Sequence, residues 1–269
     1  MTTGGGRNYL VVSDYNMIRV EVNLRLEGKN IMNERKPGIV GGIGPEATVD
    51  LFDKIINQTP AQIDQDHIQV LIFNNPKIPS RYEAIKKDGE SPGPYVAESA
   101  QKLESMGADF LAIASNLTHV YYNETQSAVD IPVINMIESV SQYAKEREGV
   151  SKVGILAPTP TLQASLYQKE FRQMGLEPIS LDSDQNEDLV DESIYGKDGI
   201  KSGNIKDNRE PLAQAAKLLS KEGSDIIVLA CTELPLAFNK IENMPNDKIV
   251  DANSIFARKI VHEAKMSED

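Results

Sequence analysis

The chain has 269 residues, 40% of them apolar and 25% charged, with a formal net charge of −12. These are the proportions of an ordinary globular sequence, and the acidic balance argues against nonspecific nucleic-acid binding, which needs clustered Lys and Arg. One cysteine excludes an internal disulfide and points to a reducing, cytoplasmic compartment, while no apolar run approaches the roughly 20 residues of a membrane span and no secretory pattern opens the chain.

Residues 1–35 stand apart from the rest. Met1 to Arg7 is Gly-rich and reads as a flexible leader. Ile18, Val20, Val22, Leu24 and Leu26 alternate with polar residues at strand period, which predicts an added edge strand or interface segment with a peripheral role. From Lys36 the pattern is alternating βα. Gly38 to Gly41 predicts a buried strand, the turn Gly42-Ile43-Gly44-Pro45 follows, and Glu46 to Asn57 carries helical spacing with Pro45 in the first turn. Further strands are predicted at Val70 to Phe73, Phe110 to Ala114 and Val133-Ile134, with a helix at Val96 to Met106 that Gly107 terminates. Glu138 to Glu148 reads as a linking helix. The second half is predicted to place strands at Val153 to Leu156, Pro178 to Leu181 and Ile226 to Ala230, and a helix at Pro211 to Lys221. Ile249-Val250-Asp251 and a helix from Ser254 to Lys265 close the chain.

An internal repeat organises these elements. The run Gly107-Ala108-Asp109-Phe110-Leu111-Ala112-Ile113-Ala114-Ser115-Asn116 returns 116 positions later as Gly223-Ser224-Asp225-Ile226-Ile227-Val228-Leu229-Ala230-Cys231-Thr232. The same offset carries Gly38-Ile39-Val40 onto Gly154-Ile155-Leu156. A period this long is that of a duplicated half rather than a solenoid unit. The expected fold is α/β, with two pseudo-symmetric doubly wound parallel-sheet domains and the active site in the cleft between them. The first domain is expected over 36–137 and the second over 138–248, with the C-terminal helix of 249–269 returning to the first. Ligands in such folds bind beyond the carboxyl ends of the strands, so Ser115 and Cys231 are expected on opposite sides of one cleft.

The glycine-rich turn follows a strand and opens a helix, as a phosphate loop does, but it is neither G-x-G-x-x-G nor a Walker sequence. Backbone N–H groups around Gly42, Ile43 and Gly44 suit a ligand carboxylate better than a nucleotide. His67, His119 and His262 have no metal-ligand spacing with each other or with Cys231, so no metal is expected. No G-x-S-x-G elbow surrounds Ser115, which disfavours a serine hydrolase. His119 lies four residues after Ser115, and is expected to orient or activate it. Cys231 ends a strand just before a new helical turn, which predicts a thiol activated by a helix N-terminus.

Taken together, Gly41-Gly42-Ile43-Gly44-Pro45-Glu46-Ala47-Thr48, Asn74-Asn75-Pro76-Lys77-Ile78-Pro79-Ser80-Arg81, Ser115-Asn116-Leu117-Thr118-His119, Gly199-Ile200-Lys201-Ser202-Gly203 and Ala230-Cys231-Thr232-Glu233 form a pattern. In these motifs the chain resembles the aspartate/glutamate racemase superfamily, and within it the aspartate racemase branch. The resemblance runs from about Lys36 to Ala264. It implies two pseudo-symmetric domains, a homodimer, no cofactor, and an acidic amino-acid substrate racemised by two cysteines that act on opposite faces of the α-carbon. Cys231 matches the second of those cysteines. Arg81 and Lys201 match the basic residues associated with substrate carboxylates, and an Arg fork suits one of them in bidentate geometry. Asn116, Thr118 and Thr232 would supply hydrogen bonds near the α-carboxylate, and Glu233 would stand behind them.

The chain departs from the pattern at its centre. Ser115 stands where the family has its first catalytic cysteine, Leu117-Thr118 replaces the usual Thr-Ala, and Ile43 replaces a common methionine. A hydroxyl is a far weaker proton relay than a thiol. The readings left open are a slow or directionally biased racemase, a Cys-to-Ser variant, and a single-cysteine relative such as an isomerase or decarboxylase. A rival from another class is a non-catalytic protein that binds acidic amino acids.

Overall fold

The computed structural model describes residues 34–86, 89–238 and 248–266. The alternating segment at Ile18 to Leu26 lies outside the described residues.

The first half runs β1 (Pro37–Gly41), α1 (Pro45–Gln58), β2 (Leu71–Asn74), α2 (Arg81–Lys86), α3 (Gly93–Ser105), β3 (Phe110–Ile113), α4 (Tyr122–Ser127), β4 (Val133–Ile134) and α5 (Met136–Glu146). The second half runs β5 (Lys152–Leu156), α6 (Thr159–Ala164), α7 (Leu166–Gln173), β6 (Glu177–Ile179), α8 (Ser183–Asn186), α9 (Glu192–Tyr195), α10 (Arg209–Lys221), β7 (Ile226–Leu229) and α11 (Leu234–Phe238). It closes with β8 (Ile249–Asp251) and α12 (Ala252–Lys265).

The strands form two four-stranded parallel sheets ordered β2-β1-β3-β4 and β6-β5-β7-β8. The repeat is therefore a repeat of topology, and it extends to register. Gly38 pairs with Leu111 as Gly154 pairs with Ile227, and Leu111 pairs with Val133 as Ile227 pairs with Ile249, each residue moved by 116. β3 and β7 are buried along their whole length, as parallel strands covered on both faces must be, which is why both read as unbroken apolar runs.

The repeated Gly-x-Asp has a mechanical reason. Gly107 and Gly223 take φ of 90° and 94° where α3 and α10 end, a left-handed cap that costs glycine little. Two residues on, Asp109 Oδ2 accepts the Lys36 backbone N–H at 2.6 Å, and Asp225 Oδ2 accepts that of Lys152 at 2.8 Å. Each aspartate thus ties a helix exit to the start of the neighbouring strand, fixing the level at which both strands end.

A central core joins the two halves: Ile39, Phe110 and Met136 from the first pack with Ile155, Phe171, Ile226 and Phe256 from the second. β8 is an edge strand of the second sheet, while α12 crosses back onto α1. Asn253 Nδ2 donates to Asp50 Oδ2 at 2.7 Å and Gln58 Nε2 to the Ser254 carbonyl at 2.8 Å. Phe256 and Ile260 are fully buried on this face, each contributing about 2 kcal/mol by removal from water. Arg35 also belongs here: its backbone N–H reaches the Ala264 carbonyl at 2.9 Å and its guanidinium faces Glu263 at 3.4 Å.

The linking helix starts two residues before its predicted position because Asn135 caps it, accepting from Ile137 N at 2.9 Å and Glu138 N at 3.3 Å. Helices α6 to α9 have no predicted counterpart. α7 buries only Tyr167 and Phe171, too few apolar positions to show a helical period. Between α8 and α9 the chain winds through a π-turn at Glu187–Asp191 that delivers Tyr195 toward the cleft. Among the described residues no helix is long and apolar enough to cross a membrane.

Candidate active site

The carboxyl ends of β3 and β7 open onto one cavity of about 240 Å³. Ser115 and Cys231, each two residues past its strand, stand in its wall, with Ile43, Arg81, Asn116, Lys201, Thr232 and Glu233. A space of this size suits a small amino acid rather than a nucleotide.

Ser115 is held from behind. Thr118 Oγ1 donates to Ser115 Oγ at 2.9 Å, and the Thr118 backbone N–H approaches the same oxygen at 3.4 Å. Thr118 is itself fully buried and does not reach the cavity, so it positions the hydroxyl rather than a ligand. His119 does not touch that hydroxyl. Its Nδ1 bonds the Ser115 carbonyl at 2.8 Å, and its Nε2 accepts the Met136 backbone N–H at 3.0 Å. This arrangement requires the neutral Nδ1–H tautomer, and burial pushes the imidazole pKa down to about 4. Of the two expected roles, orienting or activating Ser115, the geometry carries the first: His119 holds the Ser115 backbone and ties the end of β3 to α5 without reaching the hydroxyl.

A pH dependence follows. His119 in the folded protein binds its proton less readily than in the unfolded chain, where its pKa is about 6.5. Its stabilising contribution is complete above that value and is lost as pH falls toward 4, a change on the order of 3 kcal/mol. Urea unfolding between pH 7 and 4 should show this acid limb, and His119→Gln should flatten it.

Asn116 Oδ1 accepts the Tyr167 hydroxyl at 2.5 Å, a bond across the two halves. Its Nδ2 has no partner among the described residues, leaving a buried donor at the cavity wall. The glycines serve the turn. The Gly42 N–H is used by Thr48 Oγ1 at 2.9 Å, its φ is 86°, and a Cβ there would sit 2.4 Å from the Asn75 backbone. The expected carboxylate contact at Gly42 therefore gives way to a structural one. Ile43 lines the cavity, and Gly44 passes beside Lys201 and Glu233.

The two cations differ. Arg81 Nη1 and Nη2 donate to the carbonyls of Pro79 and Ile43, each at 3.3 Å, and no ion pair engages Arg81 among the described residues. Burial pulls its pKa below the ordinary guanidinium value, against the pull of Tyr195, Glu233 and Cys231. A half-buried charge without a contacting counter-ion gives up part of its hydration uncompensated, and an anionic ligand would offset that loss. Lys201, by contrast, is ion-paired with Glu233.

Cys231 is buried and donates from Sγ to Glu233 Oε2 at 3.0 Å. Burial, then the Glu233 charge, pushes the thiol well above its usual pKa. This corrects the prediction of a helix-activated thiolate. α11 begins only at Leu234 and runs five residues, so the nearest partner of the sulfur is a carboxylate. Thr232 Oγ1 also donates to Glu233 Oε2, at 3.1 Å, so Glu233 lies in the cavity wall rather than behind it.

Tyr82, Tyr195, Pro158 and Thr161 also line the cavity and have no place among the predicted site residues. Tyr82 and Tyr195 pack with ring centroids 4.6 Å apart, and Lys201 Nζ stands 5.8 Å from the Tyr195 ring. The repeat held a signal for the other two: an offset of 116 carries Gly42 onto Pro158 and Pro45 onto Thr161.

The sequence model of one family, described as Asp/Glu/Hydantoin racemase, matches residues 40–260. The chain belongs to that family. It is an amino-acid racemase of this group, and its two-sheet α/β architecture is the one its relatives share. The broad specificity amino-acid racemase RacX of Bacillus subtilis is 29% identical over 233 residues, covering 83% of this chain and 96% of RacX. The aspartate racemase of Picrophilus torridus superposes with a TM-score of 0.72 at 27% identity, over 86% of this chain and 94% of its own. An aspartate racemase homologue from Pyrococcus horikoshii gives 0.68 at 27% identity, over 86% and 100%.

Proposed function

We propose that this racemase acts on an acidic amino acid, aspartate foremost, without pyridoxal phosphate, with Cys231 moving the α-proton on one face and Ser115 as a weak partner on the other. The observation that carries the reading is Arg81, a half-buried guanidinium without an ion pair among the described residues, in the same wall as Cys231 and Ser115. A side-chain carboxylate on the substrate would supply its missing counter-charge. Asn116 Nδ2, a donor without a partner among the described residues, would hold the α-carboxylate, onto which the electron pair spreads when the Cα–H bond breaks, while the Thr232 hydroxyl stays with Glu233. The aromatic wall of Tyr82 and Tyr195 would keep that carbanion from water.

Ser115 can return a proton only slowly, because a hydroxyl is much less acidic than a thiol and His119, bonded at both nitrogens, cannot relay for it. The reading is therefore a directionally biased racemase. A single-thiol lyase or isomerase has one feature in its favour, since Cys231 rests protonated, donating from Sγ to Glu233. Exchange of the aspartate α-proton separates the two.

Arg81→Ala is expected to weaken aspartate binding by about ten- to a hundredfold, the loss of a charge-assisted bidentate contact. Calorimetry with each enantiomer checks this. Binding unchanged from wild type would remove aspartate as the substrate.

A further inference from the structure

Glu233 sits between two groups with opposite demands. Its Oε1 takes the Lys201 ammonium, while its Oε2 accepts the Cys231 thiol at 3.0 Å and the Thr232 hydroxyl at 3.1 Å. The Glu233 side chain is 9% exposed, but that of Lys201 is 33% exposed. The carboxylate is thus fixed inside the wall, and the ammonium reaches it from the mouth on the short turn at Ile200–Ser202. From the other half, Gly44 faces this pair: a Cβ there would lie 3.7 Å from Lys201 Nζ and 3.8 Å from Glu233 Oε1. Lys201 Nζ therefore stands where an incoming side-chain carboxylate can compete for it.

Resting on the acidic-substrate reading, we propose that Lys201 is a substrate-operated restraint on Cys231. In the free enzyme it occupies Glu233. The substrate's side-chain carboxylate draws the ammonium away, and Glu233 then accepts the thiol proton. The S–H bond of Cys231 breaks as an O–H bond forms on Glu233 Oε2, so the negative charge moves from oxygen to sulfur and the total is unchanged. The thiolate then takes the α-proton, breaking Cα–H and re-forming S–H. An amino acid without a second carboxylate leaves Lys201 in place and the thiol protonated. Acidic substrates are on this account selected at the chemical step as well as in binding.

The electrostatics run in the required direction. Burial raises the Glu233 pKa, but Lys201, together with the hydrogen bonds from Cys231 and Thr232, outweighs it and holds the carboxyl below its usual range. Lys201 touches Glu233 directly and pulls on the Cys231 thiolate as well, but as the weakest of the influences there, so its withdrawal raises the basicity of Glu233 more than that of the thiolate. Of the other charged or titratable groups, Arg81 and Tyr195 face both Cys231 and Glu233, Asp191 faces Tyr195, and Glu46 lies across the mouth beside Gly44. The side-chain carboxylate then lies between Lys201 and Arg81, which share this cavity wall, and Arg81 also faces the sulfur.

The chain has one cysteine, so iodoacetamide alkylation followed by mass spectrometry reads Cys231 alone, with no amino acid present. Lys201→Met is expected to alkylate roughly fivefold faster than wild type, through a larger thiolate share. Lys201→Met combined with Glu233→Gln should lose that gain, and Lys201→Arg should stay near wild type. A rate for folded Lys201→Met at or below wild type overturns the proposal. Wild type supplies a second test that needs no variant to fold: acetate, at matched ionic strength against chloride, should speed alkylation by competing for Lys201. No acceleration by acetate also overturns it. Because neither test uses aspartate, absent aspartate turnover with the predicted alkylation pattern would refute the substrate reading and leave the restraint standing.

Discussion

Cys231→Ala is expected to reduce α-proton exchange from the reactive enantiomer of aspartate by about a thousandfold, the usual scale for losing a positioned acid–base group. The substitution removes the sulfur at the end of β7 and leaves Glu233 with Lys201 and Thr232 as partners, so the fold loses one buried contact and no charge becomes unpaired. Thermal melting should stay close to wild type while exchange disappears. Deuterium incorporation followed by proton NMR checks the effect. Exchange persisting within a few-fold of wild type would transfer the proton chemistry to another group, with Tyr195 and Glu233 the nearest to consider.

The second large effect runs in the opposite direction. Ser115→Cys is expected to raise inversion of aspartate by about a hundredfold, because a thiol is an effective acid near neutral pH and a hydroxyl is not. The site is prepared for the change: Thr118 already bonds the side chain at position 115, and His119 anchors the backbone carbonyl of the same residue. The larger sulfur points into open cavity rather than packed core, so little stability should be lost. Chiral chromatography after incubation with each enantiomer reads the result. An inversion rate unmoved by Ser115→Cys would mean that the second proton arrives by another route, and that the serine is not what limits the enzyme.

The parts of this molecule written as backbone pattern were legible in its sequence. A repeat at 116 residues carried the two sheets, their shared strand order and their register, because a parallel strand buried on both faces has to read as an apolar run. It also placed Ser115 and Cys231 at matching strand ends, on one cavity. Pairings among side chains were not legible. Nothing in the motifs separates Arg81, free of ion pairs among the described residues, from Lys201, held by Glu233. The thiol was expected to be activated by a helix dipole, but the turn after Cys231 puts a carboxylate next to the sulfur instead. Gly42 and Thr118 belong to conspicuous motifs yet serve Thr48 and Ser115, since a motif shows that a residue is constrained without showing by what. Tyr195 was hidden for a different reason. It reaches the cavity through a π-turn, a local winding that apolar periodicity does not report.

The most direct test of the central claim is α-proton exchange in D₂O, followed by NMR with L-aspartate and D-aspartate in separate samples, alongside chiral analysis of the product. The account predicts that one enantiomer exchanges its α-proton much faster than it inverts, because Cys231 works on one face and Ser115 lags on the other. If both enantiomers bind and neither exchanges, Cys231 is not a working base toward aspartate, and the assignment of an aspartate racemase is contradicted.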